Sequence, residues 1–510
     1  MDLRVTGQGV ATNEVMFDQT VEQTIDTDFT LPDYCPDISR VLKCKITPKI
    51  NSKTLNGTTL SIEGCACINL IFADADNGIN SYEYLAPFNR SFVTDEAVDY
   101  GSVVVRARPE YVNYRAITPR KLEVHGALTL NAKIIAKNTT EVLSDVDNED
   151  IQILRGEARI TNPMGMSEKY LIIEDELELG QGQPAIRNLL RSDARAVINE
   201  CKIISNKAVI KGELMVNTLY IPEDGTLPQS LESALPFSQI VDIDGVNEDC
   251  ECDAKAEVVS LEVKPRTGMS GEARSFILSA KLSIMISAYC NREIPVVYDA
   301  YSINYETEIE KREVLTERIA CKINESYLCK KTLEFSPDTI SSVADLWCDS
   351  EINGVRAEGK QLIINGTVHI CFLAYDPQNI PIYLERPVDF EYRYDMDTEV
   401  SDMRCDPHIE AVASSYTLIG NDRIDVRVEL AVSAIVFDVI RLPLIVSINV
   451  DENKPKAKDE TTSLVIYYAD AGERVWDIAK RYNTSPSRVS EMNALKDEVL
   501  QASKMLLIPC

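Results

Sequence analysis

Few side chains in this 510-residue chain stand in an order that could do chemistry. It has three histidines, His125, His369 and His408, and two of them sit inside runs that alternate like strands. Cys405-Asp406-Pro407-His408 sets a thiol three residues from an imidazole. A nucleophile and its base usually come from distant segments that meet in space, so this pair predicts no catalytic site. Cys65 with Cys67 and Cys250 with Cys252 are two-apart pairs, each on one face of a strand and too splayed to bridge to each other. As zinc ligands they lack the second CxxC or nearby histidine that a four-coordinate site needs. The 81 acidic residues guarantee coincidental carboxylate pairs, whose ordinary place is a solvated surface. No catalytic residue, metal or cofactor is assigned, and the chain reads as a non-enzyme.

The formal charge of -29 points the same way about partners. Nucleic acid and anionic lipid both need clustered Lys and Arg to displace counterions, so neither is an expected partner. The N-terminal "MDLRVTGQGVATNEVMFDQTVEQ" has no basic start and no apolar core, and no run approaches 18 apolar residues. The expectation is a protein that does not insert in a membrane and stays in the compartment where it is made. Its 14 irregularly spaced cysteines then read mostly as reduced core thiols.

The elements that would carry any site repeat three times. A proline precedes an apolar segment at Pro36, Pro184 and Pro337; a glycine interrupts a strand-like run at Gly64, Gly212 and Gly366; a proline stands near an aromatic at Pro87, Pro236 and Pro387. First and second anchors lie 28, 28 and 29 residues apart, second and third 23, 24 and 21. Glycines 148 and 154 residues apart mark domain-sized copies rather than solenoid turns.

Counting by twos from each glycine gives one apolar face: Ala66, Ile68, Leu70 and Phe72; Leu214, Val216, Thr218 and Tyr220; Val368, Ile370, Phe372 and Ala374. Polar intervening residues predict a sheet covered on one side. The fold class is therefore mainly β: three repeated β-rich, sandwich-like domains at 1–155, 156–304 and 305–450, a charged linker at 451–462, and a small α+β unit of strand, helix, helix, strand at 463–510. That last unit carries six acidic and six basic residues from Thr461 on, so all of the net charge of -29 lies before it.

In the tail, Val475, Ile478, Ala479 and Tyr482 share one helical face after a turn at Gly472, and Ser485-Pro486 caps a second helix before the closing "KMLLIPC". "VIYYADAGERVWDIAKRYNTSPSRVSEMNAL" and "MLLIP" resemble the LysM module over about 50 residues in an ordered set of features. That resemblance implies binding of N-acetylglucosamine glycans, peptidoglycan among them, through two loops: Gly472, Glu473, Arg474, Val475 and Trp476, and Asn493, Ala494, Leu495 and Lys496. Glu473 and Arg474 replace the family's Asp-Thr, and Ser503 its glycine, so added side chains narrow the groove. Trp476 is expected to pack rather than stand free, while Glu473 and Arg474 are candidates to pair with charges on a protein, their reversal sparing the helices.

"LPDYCPDI" from Leu31, "LELGQGQPAI" from Leu177 and "GELMVNTLY" from Gly212, with the tail, resemble the SPOCS-domain, SipL-like spore-coat morphogenetic proteins. This implies a structural adaptor in the mother-cell cytoplasm, at the forespore surface and spore coat. Its LysM would dock the morphogenetic coat ATPase or another coat protein, or peptidoglycan. The rival implied by a LysM is a glycan-binding protein or a cell-wall hydrolase.

Overall fold

The computed structural model describes the chain except residues 1–3, 99–100, 149, 226, 270, 337–338, 421, 458–463 and 510. Its strands fall into three successive units with one plan. The first has β1 (Arg4–Thr30), β2 (Arg40–Asn56), β3 (Thr59–Ala73), β4 (Ile79–Val93), β5 (Ser102–Thr118) and β6 (Lys121–Asp147). The second has β7 (Ile151–Glu178), β8 (Ile186–Ile204), β9 (Lys207–Pro222), β10 (Gln229–Asp242), β11 (Cys250–Thr267) and β12 (Ala273–Ser302). The third has β13 (Tyr305–Glu334), β14 (Ser342–Glu358), β15 (Gln361–Tyr375), β16 (Pro381–Asp395), a fifth strand broken into β17 (Met403–Cys405) and β18 (His408–Ile419), and β19 (Arg423–Pro455). In each unit a meander (β2-β3-β4, β8-β9-β10, β14-β15-β16) faces an outer sheet in which the last strand is central (β1-β6-β5, β7-β12-β11, and β13-β19 with β17 and β18).

The middle strand of each meander carries the face that alternation predicts. Ala66, Ile68, Leu70 and Phe72 are 0% exposed, and their counterparts in β9 and β15 are equally buried. The glycines have a common geometric reason. Opposite Gly64, Gly212 and Gly366 the neighbouring strand loses register by one residue, leaving Asn51, Asn199 and Asn353 as bulges. Across the other neighbour the glycines pair with Phe88, Phe237 and Phe390. A Cβ at any of the three would lie within 2.6 Å of that phenylalanine's Cζ and of a backbone carbonyl on the bulged strand. The ring fills the space that the glycine leaves, which ties the second anchor to the third. Of the first anchor, Pro36 and Pro184 lie in the loops before β2 and β8, whereas Pro337 falls outside the described residues.

The sheets are covered more fully than expected. Beyond the glycine, residues on the second face of the meanders are also buried: Leu42, Ile71 and Ile79, Leu190, Leu219 and Ile221, and Trp347, Leu373 and Tyr375 form one cluster drawn from all three units. The three meanders therefore pack against one another, and the one-sided sheet predicted from polarity is two-sided along that half. The first and last strands of each unit, 27 to 33 residues long against 15 or 16 for β3, β9 and β15, outrun the meanders. At about 3.3 Å per residue the surplus is tens of ångströms of two-stranded ribbon. Three such ribbons close on a shared apolar seam, with Val10 and Val142, Ala158, Ile160, Ile294 and Val296, and Val314 and Leu444 inside.

Charge breaks this pseudo-symmetry. Lys43, Arg191 and Asp345 occupy equivalent positions, opposite Ile71, Leu219 and Leu373. Asp345, with a side chain 3% exposed, accepts from Arg191 Nη2 at 2.6 Å, while Lys43 reaches Glu385 at 2.6 Å. Asp406 of the third unit pairs with Arg106 of the first and with Lys255 of the second at 2.9 Å. The cysteines divide in a way their scatter did not suggest. Nine described ones are free, but Cys250 is bonded to Cys290, directly opposite it on β12, and Cys252 to Cys201 of β8. Cys250 and Cys252 thus find partners on two different strands, while Cys65 and Cys67 stay free. Of the linker expected at 451–462, residues 451–455 continue β19 and 458–463 lie outside the described residues.

Candidate functional site

The C-terminal module is β20 (Leu464–Ala469), α1 (Val475–Arg481), α2 (Pro486–Met492) and β21 (Lys504–Pro509), with β20 antiparallel to β21. Ser485 caps α2, its hydroxyl accepting from the Arg488 N–H at 3.3 Å, with Pro486 in the first turn. Val475, Ile478, Ala479 and Val489 pack on Leu506 and Ile508, and Tyr482 lies 5.7 Å from the Tyr467 ring.

The first candidate loop is largely consumed by the segment that leads into β21, and the second by α2 and β21. The Gly472 N–H donates to Leu500 O at 2.8 Å, Leu500 N–H to Glu473 O at 2.9 Å, and Val475 N–H to Glu498 O at 2.8 Å. Gly472 has φ +91°, a conformation that costs a glycine nothing. Ser503 adds a bond where a glycine could not, its hydroxyl accepting from Ala471 N–H at 3.3 Å. The Glu473 carboxylate accepts from Tyr467 Oη at 2.8 Å and from Asp470 N–H at 3.0 Å, so it clamps its own turn. Arg474 pairs with Asp477 one turn on, at 2.8 Å. Asn493 is a staple: its Nδ2 donates to Val489 O at 2.9 Å and Leu507 O at 2.7 Å, and its Oδ1 accepts from Leu507 N–H at 2.7 Å. Val475 is core, Leu495 packs half-buried beside it, and Ala494 (φ +49°) and Lys496 are exposed.

Trp476 faces the body. Its Nε1–H donates to Asp299 Oδ2 at 3.0 Å, its ring lies 5.0 Å from that of Tyr301, and it is 7% exposed. Lys480 Nζ also donates to Asp299, at 2.7 Å, and Tyr301 Oη donates to Thr484 O at 2.6 Å. Burial opposes the Asp299 charge, yet the bonds from Lys480 and Trp476 and the Lys480 and Lys311 charges hold its carboxyl below the usual range. On the opposite side the module is bare. Leu464, Ile466 and Tyr468 on β20 alternate with the core residues Val465, Tyr467 and Ala469 and are 41%, 58% and 76% exposed; Met505, paired with Tyr468, is 49% exposed. Isolated exposed apolar residues are ordinary, but a contiguous patch on one face is not.

The SipL, SPOCS domain family matches residues 37–117 and again 185–265, and the LysM domain family matches residues 470–509. The chain carries SPOCS domains and a LysM domain, the make-up of a SipL-like protein. No curated protein and no solved structure matches it. Each SPOCS match runs from the loop before the meander to the fifth strand, β2 to β5 or β8 to β11, and leaves out the long first and last strands that build the ribbons. The third unit has the same strand order without a family match. SPOCS and LysM are binding modules rather than catalytic ones, and together they belong to a sporulation-related protein with a peptidoglycan-binding module. Among the described residues no helix is long and apolar enough to cross a membrane.

Away from the LysM, the reactive side chains are in structural use. Burial pushes the Cys405 thiol up to about 12, opposite to what a thiolate nucleophile requires, and burial beside Lys255 lowers the His408 pKa. Cys67 is likewise pushed up to about 12 by burial. His125 accepts or donates at Asp26, 2.9 Å away, on the surface. Among the described residues no three His, Cys, Asp or Glu converge as a metal site would need. Sequence reasoning missed Asp299 and Tyr301, which lie some 180 residues from Trp476 with no local pattern to flag them. It also missed the outer face of β20, although "LVIYYA" is apolar without a break, as expected of a strand whose two faces both find apolar company.

Proposed function

We propose that this protein is a non-enzymatic assembly adaptor of the spore envelope, and that its LysM domain docks a protein partner, the morphogenetic coat ATPase or another coat protein, at the forespore surface on the mother-cell side. The three β-rich units, which we take at 4–147, 151–302 and 305–455 as copies of one extended SPOCS-type domain, supply the rigid acidic body. The observation that carries the reading is the exposed apolar face of Leu464, Ile466, Tyr468 and Met505, set against sugar loops whose backbone groups already bond Glu498 and Leu500 on one side and α2 on the other. An apolar, largely uncharged face on a neutral module suits the desolvated centre of a protein interface better than a hydroxyl-rich glycan chain. A peptidoglycan role keeps one support, the exposed Gly472, Arg474, Ala494 and Lys496 along the loops.

The test is an affinity pulldown from sporulating cells using the full chain and a chain ending before residue 461. The adaptor reading expects one coat protein retained only by the full chain, with chitin oligosaccharide failing to displace it. Elution by chitin oligosaccharide would favour glycan binding instead, and turnover of muropeptides by the purified protein would favour the hydrolase.

A further inference from the structure

Asp299 owes its position to a bulge. Register between β12 and β7 slips between Val297 and Asp299, leaving Tyr298 as the extra residue, and a bulge re-aims the side chains that follow it. The other two ribbons have the same slip at the same level, with Ser144 and Val446 as the extra residues. Asp145, Asp299 and Ser447 are therefore counterparts, as are Asp147, Tyr301 and Asn449. Asp145 reaches Arg155 of the next unit at 2.6 Å, and Asp299 reaches Lys311 of the next unit at 3.4 Å. The bulge thus places a carboxylate at the first and second seams between units, whereas Ser447 bonds Glu310 of its own ribbon, and only the second seam combines the carboxylate with an aromatic two residues on. Among the described residues the LysM bonds the body at that seam, through Trp476, Lys480 and Thr484.

The contact is shaped on both sides. Asp299, with a side chain 17% exposed, satisfies two cationic or polar donors of α1, and Tyr301, 2% exposed, donates to the backbone just before α2. Lys456, at the end of the body, bonds both Ser302 O at 2.9 Å and Asn483 Oδ1 at 2.8 Å, closing the contact from the third unit. We propose that this seam is a built seat. It holds the LysM in one orientation and withholds the α1 face, Trp476 and Lys480, from any ligand. A partner that uses the β20 and β21 outer face binds the seated module directly. A saccharide or protein that stacks on Trp476 must first displace Asp299 and Tyr301. This deepens the docking reading by regulating the same module.

Full-length protein carrying Trp347→Phe leaves Trp476 as the only tryptophan of the two in the chain. Its fluorescence in the seated form is blue-shifted and poorly quenched by iodide. Asp299→Lys sets a third cation between Lys311 and Lys480, and is expected to red-shift the emission and raise the iodide quenching constant about threefold, the signature of a local opening. Adding Lys480→Asp to that variant restores the blue-shifted, protected state. Tyr301→Phe, which removes one hydroxyl from an intact core, shifts the same readout in the same direction by less. Iodide access as full in the parent as in Asp299→Lys, or no change on Asp299→Lys, overturns the seat. No partner enters this readout, so failure of the seat and failure of coat-protein docking are separate results.

Discussion

The LysM domain has two sides that its sequence makes look alike and its surroundings make opposite. The α1 side carries Trp476 and Lys480 and is met by Asp299 and Tyr301; the β20 side carries Leu464, Ile466 and Tyr468 and is met by nothing within the described residues. Both have large aromatic and aliphatic groups suited to an interface core. The difference teaches that an aromatic at a family's binding loop is a candidate only until its neighbours from the rest of the chain are known. In an isolated module Trp476 would be an exposed aromatic beside the glycan loops. In this chain it is already an interface residue, and the free apolar surface is the back of the sheet.

That contrast can be broken most directly on the free side. Ile466→Lys with Tyr468→Glu should weaken coat-partner binding by about a hundredfold, as loss of a hot-spot pair does, and a fluorescent fusion of this variant should disperse in the mother cell. The module should stay folded, because both side chains point away from its core, and circular dichroism checks this. Normal forespore placement would remove the outer face from consideration.

Removing both sides at once sharpens the contrast. Asn493→Ala deletes two bonds to β21 and one to α2 and should cost the LysM about 2 to 3 kcal/mol, seen as an earlier LysM transition in thermal unfolding while the body melts unchanged. An unshifted transition would mean that the staple is not formed.

Acidity separates the sides by a smaller effect. The Asp299 carboxyl is held below its ordinary 3.8 in the seated state, so the seat gains from this charge above that value and loses it as pH falls through the lower, seated value. Trp476 should remain protected from neutral pH down to about 4 and be exposed only below it. Opening near pH 6 would point to another group, since the sign and window both follow from a depressed carboxylate.

The loop charges should matter least. Arg474→Glu loses a half-exposed pair with Asp477 and should change LysM stability and partner binding by about 0.5 kcal/mol or less. Glu473→Gln costs more, about 1 kcal/mol, because that carboxylate clamps Tyr467 and the Asp470 amide. Reversal of both charges, expected from the sequence to spare the fold, is therefore predicted to loosen the first turn. Equal effects of the two single changes would argue that Glu473 is not a clamp.

Legibility followed the range of the forces. The three glycines, the alternating faces and the helix stripe were readable because each depends on neighbours a few residues away or on one partner strand, as Gly64 depends on Phe88. The second buried face was not, because Ile71, Leu219 and Leu373 meet only when three units close on one another. The 451–455 segment reads as a polar tether but pairs with β13, whose ladder takes charged residues on a solvated edge. The sequence named nine site residues in two loops from the LysM pattern, of which Val475 and Trp476 fall in α1, but it could not tell that Asn493 and Glu473 spend their polar atoms internally or that Trp476 faces Asp299 across some 180 residues. The continuous apolar "LVIYYA" did hold the missing information about β20.

The central claim is that the outer sheet face, and not Trp476, meets the partner. The direct measurement compares the affinity of the pulled-down coat protein for full-length Tyr468→Glu and Trp476→Ala in one titration, alongside chitin oligosaccharide. The account predicts that Tyr468→Glu loses most of the binding and Trp476→Ala little of it. Loss confined to Trp476→Ala, with Tyr468→Glu binding normally, would contradict it.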